Sequence, residues 1–332
     1  MQKSISNFKL IQIMKKFLKI LYHKTSWGKM IIQKGLTLIQ FFWNHSVSDK
    51  YYIKRRFKIK MGYELDLDNP KTLNEKINWL KLYARSNLHT QCSDKFAVRD
   101  YVKNKIGEEY LVPLFLMTKN VEDINVTKVP SEPVIIKTNH DSGGGVVVKN
   151  RAEINWIDLQ KKLKNRLKRN YYYKSKEWQY RNIEPCLIVE KLLSGKNGGL
   201  PFDYKLHCFN GKVNMIQVDT GRYTEKHHRN WYNTKWIREP YKWSSQIGKG
   251  KFTDPSDEEV EKPETLKKMI ELSEIIAKDF IYVRVDWYDV EGSLYFGEIT
   301  FHHDGGIRPI YPPEWDLTLG SKLLLPNTSK VS

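Results

Sequence analysis

VRVDWYDVEGSLYFGEIT, residues 283–300, is the stretch on which the reading of this chain turns. Two runs of alternating residues flank Glu291-Gly292, the pattern of an antiparallel hairpin. Alternation places Arg284 with Asp286, and Glu298 with Thr300, on shared faces, and the hairpin can bring Asp286 and Glu298 together near one end. Two carboxylates and an arginine inside otherwise apolar strands are costly to bury unless something pairs with them. Paired magnesium ions bridging nucleotide phosphates would do so. An internal Arg284–Asp286 ion pair, with Glu298 at a solvated strand end, would do so equally well.

Upstream lies PVIIKTNHDSGGGVVV, residues 133–148. A β-branched strand ending in Lys137 runs into Gly143, Gly144 and Gly145 and then into a second strand. Three glycines expose backbone N–H groups that suit close approach to phosphates. No Gly-Lys-Ser/Thr follows and a strand comes next, so this is not a Walker loop. By itself the loop is equally a flexible hairpin tip.

The intervening sequence supplies a mixed set of elements. Residues 69–83 start with Pro70 and a capping box from Thr72 to Glu75, with Leu73, Ile77, Leu80 and Ala84 at helical spacing. A helix is expected over 96–106, ended by Gly107, and one basic helix over 154–172. Residues 186–190 read as a buried strand, and 203–219 as two strands about Asn210-Gly211. A long helix follows Pro263 and ends near Phe280. No internal repeat is present. Antiparallel hairpins among helices point to an α+β fold and away from a doubly wound parallel sheet.

At 332 residues with 40% hydrophobic and 13% aromatic content, the chain holds a sizeable core and is not disordered. Scattered Gly and Pro exclude collagen-like and low-complexity classes. The three cysteines, Cys92, Cys186 and Cys208, are odd in number and lack metal-ligand spacing, which suits a reducing cytosol. Net charge is +18, and residues 1–60, with Asp49 their single acid, hold most of it. Residues 8–22, FKLIQIMKKFLKILY, form a basic amphipathic helix with Lys9, Lys15, Lys16 and Lys19 on one side. Lysines interrupt the apolar run, so it is neither a secretory signal nor a membrane span, and residues 36–43 are also too short to span. An in-plane helix on an anionic membrane surface is expected; docking on the protein's own core is the other reading. No nucleic-acid recognition motif accompanies the charge.

Taken in order, SDKFAVRDYV (93–102), residues 133–148, CLIVEKLLSG (186–195), FDYKLHCFNGKV (202–213) and residues 283–300 resemble the ATP-grasp superfamily. The flanking NPKTLNEKINWLKLY (69–83), HHRNWYN (227–233) and YPPEWDLTLGSKL (311–323) look like its teichuronopeptide-biosynthesis, or TupA-like, branch, associated with bacterial capsule and surface polysaccharide. The resemblance spans residues 50–325. It implies an α+β ATP-grasp fold, two subdomains clasping ATP, behind a basic amphipathic N-terminal segment (1–60). Residues 61–130 would carry Lys95, 131–190 the glycine-rich lid, and 191–332 the magnesium site.

The resemblance also implies roles. Lys95 and Lys137 match the lysines that reach the nucleotide phosphates, and Ser142, Gly143, Gly144 and Gly145 match the lid over them. Glu190, Lys191 and Leu193 match the adenine hinge, and Asp203 falls where an acid often meets the ribose. Lys205 shares its strand face and would reach phosphate or substrate. Asp286 and Glu298 match ligands of two Mg²⁺ ions, and Arg284 matches the arginine on the transferring phosphoryl group. Thr300 stands where the superfamily usually has Asn, and a hydroxyl there can still coordinate metal. Only 94 residues precede Lys95 here, many of them in the basic segment, so substrate recognition is expected to be built differently from the superfamily's usual α/β domain.

The implied activity is an ADP-forming ligase that makes an amide through an acyl phosphate. Its expected partners are a carboxylate-bearing saccharide or lipid-linked glycan and an amine or amino acid, in the cytoplasm and peripherally on the inner face of the cell membrane. Two rivals stand beside it. A glycosyltransferase would use Asp66 and Asp68 at a metal site, though such acids before a Pro-initiated helix serve as caps; a nucleic-acid-binding module would explain only the charge. His302-His303-Asp304 reads as a flank of the Glu298 site rather than a metal cluster. His227-His228-Arg229 suits an anion site or an exposed loop.

Overall fold

The computed structural model describes residues 45–195, 199, 201–222, 224 and 226–326. The amphipathic stretch 8–22 and the apolar patch 36–43 lie outside them. The chain divides into Met1–Ser48 and Asp49–Ser332, and every element below belongs to the second unit. Among the described residues no helix is long and apolar enough to cross a membrane.

Four helices come first: α1 (Asp49–Met61), α2 (Leu73–Tyr83), α3 (Asn87–Ser93) and α4 (Val98–Ile106). The capping box of α2 forms as the sequence predicts. Thr72 Oγ1 accepts from the Glu75 N–H at 3.1 Å, and Glu75 Oε2 accepts from the Thr72 N–H at 2.9 Å. Such a cap stabilises a helix by about 1 kcal/mol. Helix α4 stops at Gly107, whose φ of 114° an L side chain rarely adopts.

A four-stranded antiparallel sheet follows, built from β1 (Leu114–Thr118), β2 (Val134–Thr138), β3 (Val146–Val148) and β4 (Leu187–Lys191), in the order β1-β4-β2-β3. Leu159 and Leu163 of α5 (Trp156–Leu167) cover one face, packing with Val134, Ile136, Val148, Leu187 and Val189. The single helix expected over 154–172 is in fact two. Helix α6 (Tyr171–Ser175) restarts after a break, because the Asn170 side chain caps the Tyr172 N–H. An asparagine that can satisfy a helix start locally breaks a continuous helix more readily than it extends one.

The second sheet holds β5 (Asp203–Phe209), β6 (Lys212–Thr220), β7 (His228–Tyr232), and the hairpin pair β10 (Tyr282–Val290) and β11 (Ser293–Thr300), ordered β11-β10-β5-β6-β7. A small ribbon, β8 (Gln246–Gly248) with β9 (Lys251–Phe252), stands apart. Both hairpin turns adopt left-handed backbone as expected, Asn210-Gly211 at φ 49° and 81° and Glu291-Gly292 at 57° and 83°. Helix α7 (Leu266–Ala277) buries Met269, Leu272 and Ile276 with Leu206, Ile216, Val283, Val285 and Trp287. Each such side chain contributes about 1.5–3 kcal/mol. A separate cluster unites α1, α2 and α8 (Glu314–Lys322) with Phe209, Met215, Trp231, Trp243 and Tyr282 of the sheet side. Gly320 makes that seam possible: a Cβ there would sit 2.2 Å from the Lys71 carbonyl oxygen.

Asp316 ties α8 to α2 by accepting from the Asn74 N–H at 3.0 Å and Nδ2 at 2.9 Å. Burial pushes its carboxyl up to about 6 against those hydrogen bonds. The folded state therefore holds this proton more tightly than the unfolded chain. Its contribution to stability is complete below about pH 4 and lost as pH rises towards 6. Asp316→Asn should flatten that part of the melting-temperature profile. Identical slopes in both proteins would show that Asp316 titrates normally.

Candidate active site

The hairpin β10–β11 gathers its polar residues at one end. Arg284 pairs with Thr300 and Val285 with Ile299, and an irregularity before Trp287 then shifts the register. Arg284 Nε and Nη2 donate to Asp286 Oδ1 and Oδ2, both at 2.7 Å. Nη2 also donates to Glu298 Oε1 at 2.9 Å, and Thr300 Oγ1 donates to the same oxygen at 3.3 Å. The arginine thus grips both acids, not Asp286 alone. Its remaining arm, Nη1, reaches His303 Nδ1 at 2.9 Å. A guanidinium can only donate, so Nδ1 accepts and the imidazole is neutral. Burial, then the Arg284 and Arg229 charges, hold His303 well below its usual range.

Burial would lower the Arg284 pKa, but Asp286 and Glu298 raise it and keep the charge fixed. Burial pushes the Asp286 carboxyl up, with Arg284 and Lys205 opposing. Glu298 ends below its ordinary value: burial raises it, but Arg284 and then Lys95, Lys205 and Lys137 outweigh that. Lysines from both sheets therefore face this one carboxylate.

Lys205 stands opposite Asp286 on β5 and lies 3.9 Å from it. It is buried against Asp203 and 3.3 Å from Asp219. Arg229 Nε donates to Asp219 at 2.8 Å, and Arg222 pairs with Asp203. Lys205 is thus set among three carboxylates within the sheet. Asp203 lies at the start of β5 in the same network.

Across the cleft, the Lys95 N–H donates to the Asn139 carbonyl at 3.0 Å, and its Nζ donates to the Asp141 carbonyl. Burial lowers the Lys95 pKa, while Glu298 and Asp141 pull it back up. Lys137 Nζ pairs with Glu190 Oε2 at 2.9 Å, and Arg99 with Oε1 at 3.2 Å. The Glu190 side chain on β4 therefore orients Lys137. Arg166 on α5 pins the glycine loop, bonding Asp141 at 2.6 Å, the Gly143 carbonyl at 2.8 Å and that of Gly144. Gly144 has φ 81°, and a Cβ there would sit 2.3 Å from the Arg166 guanidinium.

Beside Lys137 is a cavity of about 80 Å³ walled by Val112, Ile135, Val147, Leu192, Leu193 and Tyr288. The Lys191 and Leu192 N–H groups bond to Pro113 and Pro133 carbonyls, while the Leu193 N–H has no partner among the described residues. Apolar walls with one unpartnered backbone amide match the chemistry of a purine base. For magnesium, two carboxylates and a hydroxyl are hard oxygen donors of the right kind. Glu298 Oε2 has no partner among the described residues, whereas both Asp286 oxygens are held by Arg284. No three His, Cys, Asp or Glu side chains are gathered as a metal cluster among the described residues.

A larger cavity of about 350 Å³ opens beyond Arg284, Glu298 and Thr300. Ser142 of the loop lines it, with Arg56 and Lys60 of α1, Glu177, Tyr180, His302 and Arg308. Asp66 instead caps the N–H groups of Asp68 and Asn69 at 3.0 and 2.9 Å, as expected of an acid before a helix. Arg229 is buried in the sheet network, so the segment 227–229 is not simply an exposed loop. Sequence reasoning missed Arg99, Arg166, Glu177, Asp219, Arg222 and Arg308. Only strand pairing and helix packing bring them together, and no local motif marks them.

The model of the TupA-like ATP-grasp family matches residues 75–324. Among solved structures the chain is similar to the D-alanine–D-alanine ligase from Bacillus anthracis complexed with ATP, at 18% identity and a TM-score of 0.37, over 64% of this chain and 54% of that one. It is also similar to the D-alanine–D-alanine ligase from Helicobacter pylori (14%, TM-score 0.40, 76% of this chain and 69% of that one). A third likeness is the L-amino acid ligase from Bacillus licheniformis (14%, TM-score 0.42, 84% and 62%). The chain thus spans little more than half the length of the first of these. Among curated proteins none matches the sequence.

The geometry predicts the effect of removing one lysine. Lys137→Ala deletes a cation from the cleft and leaves Glu190 facing any phosphate with Arg99 alone. Affinity for magnesium-ATP should fall at least about tenfold, roughly 1.4 kcal/mol. Calorimetry showing unchanged affinity would remove Lys137 from the phosphate site.

Proposed function

This chain belongs to the TupA-like ATP-grasp family, and on that premise we propose that it joins a carboxylate to an amine at the expense of ATP, releasing ADP and phosphate. The observation that carries the reading is Arg284 held between Asp286 and Glu298, with Lys95 and Lys137 facing Glu298 and an apolar slot beside Lys137.

Adenine would occupy the slot against the Leu193 amide, with Asp203 nearest the ribose. Lys95, Lys137 and the loop from Ser142 to Gly145 would hold the phosphates. Asp286, Glu298 and Thr300 would hold Mg²⁺, which when bound offsets phosphate charge. The substrate carboxylate attacks the γ-phosphorus, the bond to the β-γ bridging oxygen breaks, and Arg284 stabilises the charge on the phosphoryl oxygens. The neutral amine then attacks the acyl carbon, phosphate leaves, and a proton is lost to give the amide. The arginine is already oriented by three partners, so little reorganisation accompanies the transfer.

The acceptor we propose is a carboxylate-bearing surface polysaccharide or its lipid-linked precursor. The resemblance to a capsule-associated branch supports this, as does the basic segment 1–60, which would sit peripherally on an anionic membrane. Asp66 caps the Asp68 and Asn69 N–H groups, which supports the ligase reading over the glycosyltransferase one.

Asp286→Asn takes a charged partner from Arg284. It should cut ADP release by more than about a hundredfold, which corresponds to roughly 2.7 kcal/mol in the barrier. Near-wild-type turnover would show that the pair is structural. Hydroxylamine added with ATP and a uronic-acid oligosaccharide should trap the acyl phosphate as a hydroxamate; ADP release without hydroxamate would exclude that intermediate.

The full chain should co-sediment with vesicles containing anionic lipid. Binding should fade as the Debye length falls from about 10 Å at 0.1 M salt to about 3 Å at 1 M. Deleting residues 1–45 should abolish it while leaving ATP binding. Failure of the full chain to sediment would leave those lysines a solvated face.

A further inference from the structure

The cavity beyond Arg284 holds charges of both signs, and most of them already have a hydrogen-bond or ion-pair partner. Arg284 is paired with Glu298, Asp304 is bonded to Ser245 and lies 3.5 Å from Arg229, and Lys81 donates to the Gly305 carbonyl and Asn78. Arg56 donates to the Lys174 carbonyl at 3.0 Å. Three charged groups on its wall are left over.

Glu177 is 7% exposed, yet its carboxylate has only two long contacts, Gln179 Nε2 at 3.3 Å and His302 Nδ1 at 3.4 Å, both on Oε2. Oε1 has no partner among the described residues, and no lysine or arginine among them lies within ion-pair distance. Lys81 lines the same cavity and acts on Glu177 only through space, and a buried carboxylate with no ion pair is costly until a cation sits against it. Arg308 lines the same cavity, and its guanidinium makes no hydrogen bond or ion pair with a described residue. Lys60 on the cavity wall is likewise unpaired among them. Neither cation is paired with Glu177.

We propose that this cavity binds a free amino acid, its ammonium set against Glu177 and its carboxylate against Arg308 and Lys60. A simple anion would satisfy Arg308 but meet the bare oxygen of Glu177. A simple amine would satisfy Glu177 and leave the cations unmatched. Only a ligand with both charges completes the site, and about 350 Å³ accommodates one. The binding site stands on this geometry; the role of the bound molecule as the attacking amine rests on the ligase reading above.

The test is calorimetry on the full chain, loaded with magnesium and a non-hydrolysable ATP analogue. The twenty common L-amino acids, methylamine and acetate are the ligands. At least one amino acid should bind about tenfold or more tighter than methylamine and acetate, and Glu177→Gln and Arg308→Gln should each remove that advantage without altering analogue affinity. Methylamine or acetate binding as tightly as the best amino acid overturns the proposal, as does an unchanged advantage in both variants. The comparison within wild type decides the matter even where a variant fails to fold. If the protein releases ADP with a carboxylate and an amine yet binds no amino acid, the subsite is wrong and the ligase stands. If it binds an amino acid by Glu177 and Arg308 but never releases ADP, the subsite stands and the ligase reading falls.

Discussion

One guanidinium organises this molecule. Arg284 uses four of its five N–H donors: two on Asp286, one on Glu298 and one on His303. Losing the arginine would leave the buried Asp286 without its closest counter-charge, a cost on the order of 3–5 kcal/mol for buried pairs. The clamp is also braced from behind. His303 packs edge-on against Trp243 at 4.4 Å and against His207 at 4.8 Å, and Trp243 stacks with Trp231. These rings belong to or border the cluster that α1, α2 and α8 close. The aromatic core therefore sets where the arginine can point, and its packing reaches the site through a single neutral imidazole.

How much of this was readable beforehand depended on distance along the chain. The α2 capping box lies within four residues, the turns at Asn210-Gly211 and Glu291-Gly292 within two, and the alternation of residues 283–300 within one hairpin. All of these appear in the structure. Helix α5 and α6 read as one because a propensity pattern does not register Asn170 as a new start. Strand β1, with the continuous apolar run LFLMT, offered no alternation to mark it. The network of Lys205 with Asp203, Asp219 and Asp286 depends on register between β10, β5 and β6, which no single segment encodes. Glu177 was invisible for the same reason, since its meaning comes from a cavity shared by distant segments.

Charge asymmetry offers a related lesson. Residues 1–60 read as one basic segment, but its last portion, α1, is built into the body. Asp49, the one acid in the segment, bonds Arg85 at 2.8 Å and the Tyr172 hydroxyl at 2.8 Å. Tyr52 and Arg56 donate to the Lys174 carbonyl. So α1 belongs with α2 and α6 structurally while continuing the upstream run of cations compositionally.

That anchoring constrains how α1 can change over evolutionary time. Arg56 and Lys60 are one helical turn apart and reach the same cavity, while Ile53 and Phe57, buried in the core, and Asp49, bonded to Arg85, hold the phase of the helix. Each residue advances an α-helix by about 100°. A single insertion or deletion between Asp49 and Arg56 would swing both cations off the cavity wall while leaving composition, charge and helix propensity almost untouched. Point replacements on the outward side carry no such penalty. Lineages of this helix should therefore drift freely in letters and hardly at all in length.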